Sequence, residues 1–223
     1  EVPSTQEYLI SAVAPGSGSP YTLTIQVSGA GDSAAVTPEP APEPAGNQVV
    51  HVALDGAAIA DATADATVLS LLQSNNATAD FFADAGEIDA AAAATLVAEA
   101  GGQHGIGLVA GPIRALTSDG RDALFAEVNA ARQAFAAQPV RCLRLPAAAA
   151  ADAYTRAAAA EQGYTVLQWD IDATGADAES VIAQVFPGAV IRLDAVPGSV
   201  ATLQALLPAL AEQDYSVQAL CGE

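Results

Sequence analysis

From residue 48 onward, short apolar runs of strand length alternate with longer stretches of helical periodicity, and this alternation constrains the fold more than any other feature of the chain. Seven runs read as buried strands: 48–54, 78–82, 103–109, 140–145, 164–169, 189–193 and 215–220. Between them, residues 67–74 carry Val68, Leu71 and Leu72 on one helical face, and residues 119–137 place Leu124, Val128, Ala131 and Phe135 at helical spacing behind Ser118 as a cap. Repeated strand–helix units return the chain in one direction and build a parallel sheet covered by helices. Such an α/β fold is either an open doubly wound sheet or a closed barrel, and seven units in so short a span favour a seven-stranded (β/α) barrel over residues 48–223.

The chain ahead of the barrel has a different grammar. Residues 37–46 alternate proline with small or acidic residues, which forbids helix and central strand and marks 31–47 as an extended linker. Residues 8–13 and 21–27 read as two strands joined by a Pro/Gly/Ser turn at 14–20, so 1–30 is expected to be an N-terminal β-hairpin. Tyr21, Leu23, Ile25 and Val27 share one face of the second strand. An isolated hairpin is marginal in water, and its open edges suit strand pairing. That face is the candidate assembly surface, for self-association or for another cell-surface protein.

Charge narrows the partners. Twenty-six carboxylates against seven arginines and no lysine give a formal net charge of −19, which repels nucleic acid and anionic lipid. No run of 18 apolar residues predicts a membrane span. The start at Glu1 has no charged-then-apolar leader and reads as processed or truncated. Cys142 and Cys221 permit one bridge or two buried thiols, and both readings stand. Asn76-Ala77-Thr78 matches an N-glycosylation pattern. The glycine cluster Gly101, Gly102, Gly105 and Gly107 falls in a strand region without a following helix, so it is no phosphate cradle.

Several motifs in order carry a resemblance. They are Val52-Ala53-Leu54-Asp55-Gly56-Ala57, Ala77-Thr78-Ala79-Asp80-Phe81-Phe82, the segment Glu99 to Pro112 with Gly107-Leu108-Val109-Ala110-Gly111-Pro112, Arg144-Leu145-Pro146, Trp169-Asp170-Ile171-Asp172, and Pro187-Gly188-Ala189-Val190-Ile191. Together they resemble the NodB-homology polysaccharide deacetylases, carbohydrate esterase family 4. The resemblance implies their irregular (β/α) barrel fold and a reaction in which a metal-bound water attacks an acetamide carbonyl. It also implies an aspartate base, a second aspartate and two histidines on one divalent metal, a later histidine acid, and an arginine that steadies the base. By that correspondence Leu54 occupies the base position, Asp55 survives as a ligand, Gly107 and Gly111 replace both histidines, and Asp194 stands at the acid. A shift of one residue makes Asp55 the base and leaves no ligand. Arg144 matches the arginine and needs Asp55 or Asp170 as partner. The stretch Pro20-Tyr21-Thr22-Leu23-Thr24 is similar to the closing strands of the bacterial pre-peptidase C-terminal domain.

One surviving carboxylate cannot hold a catalytic transition metal, which takes about three protein ligands. The expected vestigial pocket is therefore Asp55, Gly107, Gly111, Arg144, Asp170 and Asp194, with no catalytic residue, metal or cofactor. His51, Asp55 and His104 are the candidates for a rebuilt metal site, weighed against structural histidines; Asp170, Asp172 and Asp194 are candidates for an acid–base pair, weighed against loop caps. The expected function is a non-catalytic, secreted or cell-surface structural protein, a subunit of an extracellular filament. The alternatives are a polysaccharide-binding pseudoenzyme using Trp169 with Tyr154 or Tyr164, and an esterase with a rebuilt site.

Overall fold

A computed structural model of the chain describes residues 48–56, 62–112, 117–135, 138, 140–194 and 197–221. The expected hairpin with Tyr21, Leu23, Ile25 and Val27, and the linker, lie outside the described residues. Strands and helices run β1 (Gln48–Asp55), α1 (Ala62–Ser74), β2 (Asp80–Asp84), α2 (Ala90–Ala100), β3 (Gly105–Val109), α3 (Ser118–Ala134), β4 (Cys142–Arg144), α4 (Ala147–Ala151), α5 (Ala153–Glu161), β5 (Thr165–Val166), β6 (Ile171–Asp172), α6 (Ala178–Ile182), β7 (Val190–Asp194), α7 (Pro197–Glu212) and β8 (Tyr215–Val217). Every strand pairing is parallel, in the order β5-β4-β3-β2-β1-β7-β6. β8 pairs with Gln48–Val50 at the start of β1.

The described residues thus hold eight strands where the apolar runs predict seven. The expected strand at 164–169 is reduced to Thr165–Val166, and a separate β6 follows. β5 and β6 sit at opposite ends of the sheet, so 167–170 must cross the opening that pairing leaves. The amides of Leu167 and Asp170 donate to the carbonyls of Leu143 and Val190, both at 2.9 Å, and so tie this crossing to both flanks.

Alternation along β1 divides its side chains between two cores. Val50, Val52 and Leu54 join the larger cluster, with Leu72, Leu96, Leu108, Leu143, Ile191, Leu203 and Leu206. Ala53 belongs to a second cluster inside the barrel with Phe82, Cys142 and Val190, against which Val109, Leu167 and Cys221 pack. Each fully buried leucine or isoleucine is worth about 1.5–3 kcal/mol, so a one-residue slip that exchanged the two faces would forfeit the helix-side core. α3 is capped by Thr117 rather than Ser118: Thr117 is extended and its hydroxyl accepts from the Gly120 amide, leaving Ser118 as the first helical residue.

Candidate functional site

The β1 alternation puts His51, Ala53 and Asp55 on the inner face, and the parallel register carries the same face across the neighbouring strands. At the carboxyl end of this interior, Asp55 lies between two arginines. Its Oδ1 accepts from Arg144 Nη1, and its Oδ2 accepts from Arg192 Nε at 2.6 Å. Arg192 also donates from Nη1 to Asp172 Oδ2 at 3.0 Å and from Nη2 to Asp194 Oδ1 at 2.6 Å. One planar guanidinium therefore serves three carboxylates, each from a different nitrogen.

Arg144 is the more enclosed cation, 2% exposed. Its guanidinium lies 4.2 Å from the Phe82 ring centroid and 5.1 Å from that of Trp169, and Arg192 lies 5.1 Å from Trp169 as well. Arg144 Nε and Nη2 are buried without a hydrogen-bond partner, so the aromatic faces are its main compensation on that edge. Burial lowers the Arg144 pKa, opposed by Asp55. For Arg192 burial also lowers it, but Asp55, Asp194 and Asp172 together raise the net value. Both remain cations at any physiological pH.

Leu54 is 1% exposed and packs in the helix-side core, so it does not face the barrel. Asp55, not Leu54, therefore makes the contact with Arg144. Asp170 does not join the cluster; its carboxylate accepts from the Val190 amide at 2.8 Å and secures the start of β7. Asp194 does join it, through Arg192.

The two glycine positions are filled by neighbours. A Cβ at Gly107 would meet the Phe82 ring, with Cδ1 at 2.7 Å, so no side chain fits there unless Phe82 moves. A Cβ at Gly111 would lie 2.8 Å from Glu127 Oε1, which accepts from the Gly111 amide at 3.0 Å. The histidines stand elsewhere. His51 donates from Nδ1 to the Gln218 carbonyl at 2.7 Å, whereas His104 accepts from the Ala79 amide at 3.2 Å and meets Phe81 edge-on. The proposed grouping of His51, Asp55 and His104 is not assembled, and no cluster of three or more metal-capable side chains occurs among the described residues.

The side chains present do not fit a catalytic metal. Three carboxylates arranged around the nitrogens of a guanidinium are too widely spread to converge on one ion at about 2 Å each. Arg192, Phe82, Glu127 and Asp80 are the residues that sequence reasoning missed. A lone arginine inside Val190-Ile191-Arg192-Leu193, two residues before Asp194 and hence on its face, was the available signal.

The opposite end of the interior is closed by a covalent and hydrogen-bonded strap. Cys142 and Cys221 form a disulfide, which settles the two open readings of these cysteines. Asp80, 1% exposed, accepts from the amides of Leu220 (2.9 Å) and Cys221 (2.8 Å). Burial raises the Asp80 pKa, and those two amides oppose the shift.

No protein-family model matches the chain, and no curated protein matches it. Solved structures do. A CE4 family pseudoenzyme from Bacillus anthracis superposes with a TM-score of 0.64 at 18% identity, over 79% of this chain and 66% of that one. A peptidoglycan N-acetylglucosamine deacetylase gives 0.64 at 20% identity, over 78% and 86%. A family 4 carbohydrate esterase from Streptomyces lividans, in complex with acetate, gives 0.60 at 20%, over 78% and 93%. The barrel that holds Asp55, Arg144 and Arg192 has the polysaccharide-deacetylase fold.

Proposed function

We propose that this barrel is a non-catalytic form of the deacetylase fold, a pseudoenzyme that serves as an extracellular or cell-surface structural unit. The observation that carries the reading is Arg192: its guanidinium sits among Asp55, Asp172 and Asp194, where it neutralises the carboxylates that would otherwise attract a cation. The filling of the Gly107 position by Phe82 points the same way. Asp55 is engaged on both oxygens by two arginines, one more than the single base-steadying arginine the resemblance implies, which supports a carboxylate not free to act as a base. One similar structure is a CE4 family pseudoenzyme, and another is a mutant of a CE4 family pseudoenzyme with restored enzymatic activity. The disulfide supports an oxidising compartment. No described helix is long and apolar enough to cross a membrane.

The test is direct. The full chain, dialysed against zinc, nickel or cobalt and then gel-filtered, is expected to hold no stoichiometric metal and to release no acetate from N-acetylglucosamine oligomers. About one bound metal per chain together with acetate release would sink the reading. The assembly role assigned to residues 1–30 predicts that a chain beginning at Asn47 associates less than the full chain; equal association removes the hairpin from that role.

A polysaccharide-binding reading is favoured by one observation, the 39% exposed Trp169 with two guanidiniums 5.1 Å from its ring centroid. Tyr164 cannot assist, because it is 4% exposed. Loss of retention on an immobilised polysaccharide in Trp169→Ala, with parental retention measurable, is the outcome this reading requires.

A further inference from the structure

The segment 218–221 runs across the amino-terminal end of the barrel interior, held at five points. Gln218 donates its amide to the Val50 carbonyl at 3.0 Å and accepts from His51 Nδ1 through its own carbonyl. The Ala219 amide donates to Thr78 Oγ1 at 2.8 Å, and the Leu220 and Cys221 amides donate to Asp80. The fifth point is the bond to Cys142. Gly105 completes the fit: a Cβ there would collide with Asp80 Oδ1 and stand 2.7 Å from Cys221 Cβ, so carboxylate and disulfide share space that only glycine leaves open. Cys142 is buried in the inner cluster with Phe82, and Phe82 supports the Arg144 guanidinium. Floor and upper site thus share one inner cluster: Cys221 packs against it, Cys142 and Phe82 belong to it, and Phe82 meets the Arg144 guanidinium.

We propose that the Cys142–Cys221 disulfide and the Asp80 carboxylate act as one redox-released latch, which when reduced frees the 218–221 strap and loosens the Phe82–Arg144–Trp169 stack above it. The reaction needs a dithiol reductant. Its thiolate attacks Cys221, the half-buried partner, breaking the S–S bond and expelling the Cys142 thiolate; the second reductant thiol resolves the mixed disulfide, leaving two protein thiols and an oxidised reductant. Strap and stack form the bistable element that the thiol state biases.

The full chain contains a single tryptophan, Trp169, so its fluorescence reports the upper site without labelling. Under dithiothreitol, the amides of Ala219, Leu220 and Cys221 are expected to exchange with deuterium at least about tenfold faster, with a concurrent shift of Trp169 emission, while the helices stay protected. Strap release with unchanged Trp169 emission, or strap amides as protected reduced as oxidised, overturns the proposal. Should the reduced chain unfold as a whole, the rate of disulfide reduction in variants decides the matter. Asp80→Ala removes the acceptors of two strap amides and should speed reduction on the order of tenfold, with Asp80→Asn, which keeps one acceptor, in between. Equal rates in all three proteins refute the coupling.

Discussion

The two ends of the barrel interior each bury carboxylates, and they compensate them by different means. At the carboxyl end, Asp55 is served by Arg144 and Arg192, charge against charge. At the amino end, Asp80 is served mainly by backbone amides of a strap that a disulfide fastens, with His51 and Arg144 acting only through space. A guanidinium brings its own charge and stabilises the ionised carboxylate at any pH where the acid is deprotonated. Amide dipoles hold a carboxylate less strongly, so burial still raises the Asp80 pKa. The first end is self-contained within strand side chains, whereas the second depends on a distant segment staying in place.

The largest effect expected at the carboxyl end is that of Arg144→Ala. Asp55 would keep Arg192 on its other oxygen, so the loss should fall at the low end for a broken buried pair, about 3 kcal/mol in denaturant unfolding. Arg144→Lys should recover little, since a compact ammonium does not reproduce the planar guanidinium's contact with the Phe82 and Trp169 rings. A midpoint equal to the parent's would show that the pair and its aromatic contacts contribute nothing.

Restoring a histidine tests whether the upper site is filled or merely missing ligands. Gly107→His must displace the Phe82 ring, at an overpacking cost of about 1–3 kcal/mol, and should gain no zinc binding by calorimetry while Arg192 is present. Zinc binding by the single variant would mean that the interior yields more readily than its packing implies.

The smallest effect is a pH dependence at the amino end, where two buried groups respond in opposite senses. Burial lowers the His104 pKa, and its Nδ1 accepts from the Ala79 amide, so the folded chain favours the neutral ring. The stability contributed by the neutral ring is complete above the unfolded value of about 6.5 and declines as pH falls from there through the lowered folded value. Asp80 acts oppositely: its folded pKa is raised above 3.8, so the penalty on its charge is relieved as pH falls through that raised value. His104→Gln should therefore lose less stability than the parent between pH 7 and pH 5. Parallel unfolding curves for the two proteins across that interval would remove His104 from the account.

Much of the barrel was legible because strand alternation and helical spacing are local properties. The runs around Val52, Phe81, Leu108, Leu143 and Ile191 each became strand, and a paired, buried Arg144 was expected from the resemblance rather than from the run it stands in. The division at 164–169 was not legible, because it depends on where the sheet's open ends lie. Nor was the true face of Leu54 and Asp55, since a motif match tolerates a one-residue shift that side-chain alternation does not.

By itself the sequence determined the alternation of strands and helices, the acidity, and the glycines at 107 and 111, positions where the resemblance implies histidines. Only the tertiary structure decided what stands in their place. Phe82, Glu127 and Arg192 reach the site from β2, α3 and β7, and Cys221 meets Cys142 across 79 residues of chain. Such meetings are set by sheet register and sheet curvature, which sum over all strands at once and leave no trace in any single stretch of sequence.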